Sequence, residues 1–425
     1  MKQVKLILVG GGDRGSSYLK YLQLFPEKFA VVGLAEPVEA KRNSLRDTYG
    51  IPAENCFESY EDLLALPKMA DVAMICTQDK MHVAPALLAI EKGYDLLLEK
   101  PIAPTAEECF TVAEAARKKG VRALVCHVLR YTPFYRAVKR LLDEGAVGEI
   151  TNIEHREGVG NLHYSHSYVR GNWRKLSESS PMILAKSCHD TDLLQWLTGK
   201  ECVRVQSMGT LSYFRAENAP AGAPKRCLDG CPHKDTCFYY APDLYKVDTA
   251  EVKHFRAIVA KKFSPTDEEV DEILKTSPYG RCVYYCDNDV VDRQVVSMQF
   301  GDDVYANFTM SPFNKGGRVT TIMGTRGEMF ASMEEQIITV YDFATRKTTS
   351  LYSPDKDFDQ SIAGGHGGGD SGIMSDLYEL IAGGKPSDSL SDLAVSTKSH
   401  LIAFAAEEAR VSGKTIGMKE FIDTL

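Results

Sequence analysis

Six residues near the start of the chain, Gly10-Gly11-Gly12-Asp13-Arg14-Gly15, have the types and spacing to hold a pyrophosphate. They read G-x-G-x-x-G after a short apolar run (Val4, Leu6, Leu8) and before a helical pattern (SSYLKYLQLF), the context this motif needs. Gly10 permits the tight turn, Gly12 lets backbone approach a phosphate, and Gly15 lets helix and strand pack closely. The helix N-terminus adds unpaired N–H groups and the positive end of a dipole. Glu36 follows Gly15 by 21 residues, where a carboxylate accepts the adenosine ribose hydroxyls. An acid there repels a 2′-phosphate, so NAD is expected in preference to NADP. Lys41 and Arg42 read as a solvated helix face.

Three later segments carry further candidate chemistry. Residues 158–176 (GVGNLHYSHSYVRGNWRKL) are too irregular for a strand and unusually rich in donors and rings. His163, His166, Tyr168, Arg170, Trp173 and Arg174 offer what a sugar site requires, and the plainer alternative is an aromatic surface loop. The run SIAGGHGGGDSG brackets His366 and Asp370 with glycines that let backbone approach a ligand, so both residues are substrate-site candidates. Between Glu217 and about Asp292 lies an insertion with Cys227, Cys231, His233, Cys237, Cys282 and Cys286. A structural Zn2+ held by Cys227, Cys231, Cys237 and Cys286 is the expectation. An iron–sulfur cluster, a disulfide and free thiols are the alternatives.

The elements that position these residues alternate. Strand-like runs FAVVGLAE, DVAMICT, DLLLEKP and VRALVCHV are separated by helical stretches, one capped by Thr105 and Glu108 and others stopped by Gly50, Gly93 and Gly120. That order means a doubly wound parallel sheet, with its ligand beyond the carboxyl ends of the strands. Glu99-Lys100-Pro101, His82 and His127 all fall at those ends. After Thr132-Pro133 opens another helix, the runs EITNIEHRE, DVYANFTM, RVTTIM, EMFASM and QIITVYDF alternate as an antiparallel sheet with one covered face. The other face suggests a partner subunit. LAVSTKSHLIAFAAEEARVSG reads as an amphipathic helix. Two domains follow: residues 1–128 for the dinucleotide and 129–425 for substrate binding and oligomerisation, the latter carrying the cysteine insertion at about 217–292.

Composition narrows the partners. In 425 residues, 44% hydrophobic and 25% charged, the net charge of −8 gives no basic footprint for nucleic acid or anionic membrane. No run approaches the roughly 18 apolar residues of a membrane span. The first strand starts too early to leave room for a signal peptide, and the eleven cysteines are then expected to be mostly thiols in the cytoplasm.

VGGGDRG near residue 10, TQDKMH at 77–82, LLLEKP at 96–101 and CHDTDLLQWLTG at 188–199 together resemble the glucose–fructose oxidoreductase, inositol dehydrogenase and rhizopine-catabolism family, Gfo/Idh/MocA. The resemblance implies a Rossmann domain followed by an α/β domain built on a large open antiparallel sheet. It implies a nicotinamide cofactor and a sugar, inositol or related polyol as substrate. Cofactor contacts would then come from Gly10, Gly12, Asp13, Arg14, Gly15, Glu36, Thr77, His82, Glu99 and Lys100. By the same likeness Lys100 sits near nicotinamide and substrate, Glu99 orients it, and His189 exchanges the hydroxyl proton. The family places an Asp one helical turn before that His, and this chain has Ala185 there, followed by Lys186. Lys186, or an acid elsewhere, is the expected compensation, and Asp192 is expected to be structural.

Three functions are open at this point. One is an NAD-dependent oxidoreductase of a sugar or sugar derivative, with Lys100 and His189 as its acid–base pair. Another is a glycoside-cleaving enzyme that oxidises, eliminates and reduces without net use of NAD. The third is a non-catalytic dinucleotide sensor.

Overall fold

The computed structural model describes residues 3–262, 264–352 and 366–425. Six short strands form a parallel sheet: β1 (Val4–Val9), β2 (Phe29–Ala35), β3 (Cys56–Phe57), β4 (Val72–Ile75), β5 (Asp95–Leu98) and β6 (Ala123–Val125). Their order is β3-β2-β1-β4-β5-β6, the dinucleotide-binding arrangement with a switch point between β1 and β4. The crossover helices are α1 (Asp13–Leu24), α2 (Glu39–Tyr49), α3 (Tyr60–Ala65), α4 (Val83–Glu91) and α5 (Ala106–Lys119). Strand interiors such as Leu6, Ile7, Leu8, Met74 and Leu97 are fully buried, as a sheet covered on both faces requires. At α5 only half of the expected capping box forms. The Thr105 hydroxyl accepts the Glu108 N–H, but the Glu108 carboxylate returns to that hydroxyl instead of the Thr105 backbone.

Helix α6 (Pro133–Asp143), capped by Thr132, leads into the second sheet. Its strands are β7 (Ile150–Gly158), β8 (Cys202–Thr210), β9 (Arg293–Phe300), β10 (Val304–Ser311), β11 (Gly317–Gly324), β12 (Gly327–Ser332), β13 (Ile337–Asp342), β14 (Lys347–Ser350) and β15 (Ile416–Gly417). The order is β14-β13-β12-β11-β7-β10-β9-β8-β15. Pairing is antiparallel except between β7 and β10, which run parallel in the middle of the sheet. Side chains of one phase (Ile153, Val296, Phe308, Ile322, Met329) are buried against helices. The opposite phase leaves Met208, Val295, Tyr305, Phe330 and Tyr341 exposed.

Packing crosses the boundary expected near residue 128. The helix Gly369–Ala382 joins the core of the parallel sheet, where Ile373, Met374, Leu377 and Tyr378 meet Tyr18, Leu19 and Leu22 of α1. The helix Leu393–Ser412 is buried on nearly every side, unlike the amphipathic helix its sequence suggests. It lies between α5 and β6 on one side and the helix Cys188–Thr198 and β8 on the other.

Candidate functional site

The glycine turn has the geometry its sequence requires. Gly10 has φ +94°, and a Cβ there would lie 2.6 Å from the Cys76 carbonyl oxygen. A Cβ on Gly15 would lie 2.3 Å from the Gly10 oxygen, so any side chain would drive α1 off β1. A Cβ on Gly12 meets nothing within 4 Å. Helix α1 starts there without a side-chain cap, leaving its first amides for a ligand. The Glu36 carboxylate accepts the N–H of Gly11 at 2.7 Å and of Val38 at 2.9 Å, which pins it against the turn at the end of β2. These residues fit a dinucleotide: an open cradle at a helix start, with a fixed acid beside it. Arg42 is not a free surface cation, since its guanidinium donates to the Glu36 carbonyl at 2.5 Å.

Behind the turn sits a compact charge network. Arg14 pairs with Glu99 at 2.9 Å and with Asp370 at 2.7 Å, and also donates to the Tyr18 hydroxyl. Tyr18 in turn donates to Glu99 at 2.7 Å. Burial pushes the Glu99 carboxyl up, but Arg14 and Lys100 outweigh it and the group stays below its ordinary value. His366 contacts both Asp370 and Arg14 and is itself half-exposed. Asp370 is thus committed to Arg14 and holds the turn, with His366 beside it. Gly364 and Gly365, the glycines before His366, lie outside the described residues.

Lys100 follows β5 and reaches toward the second domain, where its ammonium donates to the Ala185 carbonyl at 2.7 Å. Ala185, in the place of the family's Asp, therefore still contributes an acceptor from its backbone. His189 opens the helix Cys188–Thr198 and is buried, with no partner for Nδ1 among the described residues. Burial, then Lys100 and His127, hold its imidazole well below the usual range, so it is neutral at pH 7. Its ring lies edge-on to His127 at 5.8 Å, and His127 stands 5.2 Å from His400. His400 accepts the Ile102 N–H, which anchors the backbone just after Lys100-Pro101. His82 faces the carbonyls of Pro101 and Thr77 and so braces the same turn. The Thr77 hydroxyl donates to Met81. Asp192 is structural, bound by Arg130 through two contacts of 2.5 and 2.7 Å.

The inward face of the second sheet supplies a second polar group. Lys186 lies 3.3 Å from Glu157, and Arg318 bridges Glu157 (2.8 Å) and Asp190 (2.7 Å). Asp190 also takes the His155 ring at 3.0 Å. Burial pushes Lys186 down and Glu157 up, so each is nearer neutrality than in water. Glu157, Asp190, His155 and Arg318 escaped the sequence reading. The signal was present: His155 and Glu157 share the phase of buried Ile153 along β7, and a charge on the covered phase of a strand needs a reason.

The aromatic segment is helical, as Asn161–Tyr164 followed by a widened turn, Ser165–Arg170. It divides in two. His163 lies between Tyr168 (6.0 Å) and Phe255 (5.5 Å), and burial, then Lys186, pushes it well below its usual range. Trp173 donates to Asp79 at 3.1 Å, tying the segment to the first domain. His166 and Arg170 instead turn into the insertion. His166 is stacked between Phe255 (4.2 Å) and Tyr279 (4.6 Å), and Arg170 donates to the carbonyls of Arg281 and Tyr239. Tyr168 is buried beside Tyr164 and Trp173, and Arg174 pairs with Asp287.

Of the expected zinc ligands, Cys227, Cys231 and Cys237 share one cavity lining and Cys286 lies outside it. Cys227, Cys231, His233, Cys237 and Cys282 border one cavity of about 20 Å³, while the Cys286 thiol donates to the Cys282 carbonyl at 3.3 Å. Among the described residues no group of three or more His, Cys, Asp or Glu side chains is placed to hold a metal. All eleven cysteines are free thiols.

Comparison with known proteins places the chain. Residues 4–127 match a family profile described as oxidoreductase family, NAD-binding Rossmann fold, and residues 135–224 match the GFO/IDH/MocA C-terminal domain. The chain belongs to the Gfo/Idh/MocA family and is an NAD-binding oxidoreductase. It is 24% identical over 351 residues to YteT of Bacillus subtilis (strain 168), a protein named as an oxidoreductase, covering 77% of this chain and 78% of that one. It is also 24% identical to an inositol 2-dehydrogenase/D-chiro-inositol 3-dehydrogenase of Lactiplantibacillus plantarum, over 52% of this chain and 60% of the relative. The fold matches a levoglucosan dehydrogenase solved with NADH and L-sorbose (TM-score 0.71, 18% identity, 98% and 99% of the two chains). It likewise matches an Agrobacterium radiobacter oxidoreductase solved with NAD+, L-tartaric acid and magnesium (TM-score 0.68, 14% identity, 99% of each chain).

Proposed function

We propose that this oxidoreductase moves a hydride between a nicotinamide and a hydroxyl-bearing carbon of a sugar, inositol or sugar derivative. The observation that carries the reading is the reach of Lys100 from the end of β5 to the Ala185 carbonyl, four residues before buried His189. The nicotinamide, when bound, supplies the hydride acceptor. Gly10, Gly12, Gly15 and the start of α1 hold the phosphates, and Glu36 takes the ribose diol. Lys100 donates to the substrate oxygen, exchanging its present acceptor at Ala185. Neutral His189 removes the hydroxyl proton in oxidation and returns it in reduction. His163 and Trp173 line the substrate side. NAD+ reduction followed by NADH absorbance across a panel of inositols, aldoses and sugar acids tests the reading.

A second reading has its own support. The Lys186–Glu157 pair gives the cleft another acid and base, each shifted toward neutrality, which simple oxidation does not need. A redox-neutral elimination at a glycosidic bond does need one, to take the proton from the carbon next to the oxidised one.

Eleven unpaired thiols suit a cytoplasmic setting. Among the described residues no helix is long and apolar enough to cross a membrane. The exposed phase of the second sheet, with Met208 opposite Val295 and with Tyr305 and Phe330, suits a homo-oligomer joined through that sheet. Elemental analysis of the purified chain decides between zinc and packed thiols at the insertion, and the side-chain arrangement supports thiols.

A further inference from the structure

The insertion between β8 and β9 reaches back across the cleft. Its helix Ala250–Ala260 places Glu251, His254 and Phe255 at i, i+3 and i+4, one above another on a single face. Phe255 is buried, stacked on His166 at 4.2 Å and 5.5 Å from His163. Those contacts seat the helix on the segment that follows β7. At the other edge, Nε2 of His254 lies 3.9 Å from the carboxylate of Asp13, the first residue of α1. One short helix thus spans from the glycine turn to the segment that follows β7.

The position of His254 answers a charge problem at the turn. A pyrophosphate seated at the start of α1 lies beside Asp13, a like charge. Arg14, the cation inside the turn, is already committed to Glu99 and Asp370. His254 faces Asp13 from outside the turn and is half-exposed, so its ring N–H remains open to a ligand. We propose that the helix Ala250–Ala260 is the outer wall of the cofactor cleft and that His254 donates to the pyrophosphate of the bound dinucleotide. The proposal rests on the dinucleotide reading given above.

Fluorescence titration with NADH tests it, with adenosine as the phosphate-free control. His254→Ala raises the NADH dissociation constant about tenfold, the size of one hydrogen bond to a charged group. His254→Arg, which keeps a donor, restores it to within about threefold. Adenosine binds equally to all three proteins. Amide exchange of residues 250–260 slows when NADH is added to the unmodified chain. NADH affinity left unchanged by His254→Ala, or adenosine affinity lost with it, overturns the proposal alone. An unmodified chain that binds no NADH overturns the cofactor reading, a separate result.

Discussion

Arg14 of the glycine-rich turn is bound by Asp370 at 2.7 Å across 356 residues of chain. The two ends of the sequence therefore build the cofactor turn together. Asp370 stands at the start of the helix Gly369–Ala382, whose apolar face is already fixed in the core of the parallel sheet. That packing sets Asp370 in place, and Asp370 with Glu99 sets Arg14. The cofactor domain of this chain is thus not closed by its first part alone.

Asp370→Asn should destabilise the fold by about 3 kcal/mol. Removing one partner of a buried pair costs about 3–5 kcal/mol, and the low end applies because Arg14 keeps Glu99. Burial pushes the Asp370 carboxyl up, but His366 and Arg14 more than reverse this and hold it well below the usual range. Its folded value thus lies below the unfolded one of about 3.9, so the contribution is full above that pH and fades as pH falls toward the folded value. Urea midpoints of the two proteins should converge on acidification below pH 4. A gap that stays constant would show that the charge is not the source.

Lys100→Ala should lower turnover about 10²- to 10⁴-fold, the usual cost of losing one proton-transfer group. NADH binding should persist, because Lys100 reaches away from the glycine turn toward Ala185. A variant that keeps most of its turnover would remove Lys100 from the reaction.

What the sequence disclosed, and what it withheld, follows physical lines. The glycine turn and the alternating strands were legible because each rests on local chemistry: a φ of +94° at Gly10, a closed helix–strand contact at Gly15, unbroken apolar runs for buried strands. The helix Leu393–Ser412 misled because Ser396, Thr397 and Ser399 look polar yet bond carbonyls within or next to their own helix, freeing them to pack. His366 and Asp370 stand out by their glycine neighbours, but nothing local shows that Arg14 lies against them. Glu157, Arg318 and Asp190 meet only when β7, β11 and the helix Cys188–Thr198 are assembled. Cysteine spacing could not show which thiols gather, and Cys282 rather than Cys286 joins Cys227, Cys231 and Cys237 at the cavity.

Glu36→Ala should weaken NADH binding about tenfold and narrow the preference over NADPH. The carboxylate is held by Gly11 and Val38, so its loss also frees two amides of the turn. Titration with both cofactors measures it. An unmodified protein that binds NADPH as tightly as NADH would refute the assignment of Glu36 to the ribose.

The three packed histidines predict a pH-dependent stability of opposite origin to Asp370. Burial, first in each case, lowers His127 and His189 well below their usual range and pushes His400 down to about 3. Unfolded histidines take up protons near pH 6.5, where the folded ones do not. Stability is therefore full above about pH 7 and falls as pH drops through that value. Glu157, raised by burial, opposes this as a single group. Urea midpoints should fall between pH 7 and pH 5. His127→Leu should reduce that fall, because neither nitrogen of His127 has a hydrogen-bond partner among the described residues. An unchanged slope would mean that His127 does not bear the penalty.

Product stoichiometry separates the two chemistries that the site supports. A plain dehydrogenase should accumulate NADH one for one with oxidised sugar and require added NAD+ in proportion. A redox-neutral glycosidase should release phenol from an aryl glycoside with no net NADH. Substrate deuterated at the oxidised carbon would keep its label, and the neighbouring carbon would exchange its proton with solvent. The distinction is physical, since elimination needs a base at that neighbouring carbon and simple oxidation does not. Lys186, pushed down by burial beside Glu157, is the group placed to serve there. Lys186→Met should then abolish phenol release and solvent exchange while hydride transfer at the first carbon continues. Under the dehydrogenase reading the same variant keeps most of its turnover, because Lys100 and His189 carry both the oxygen and its proton. The dehydrogenase is the expected result. Phenol release without NADH, lost in Lys186→Met and in Lys100→Ala alike, would reverse it.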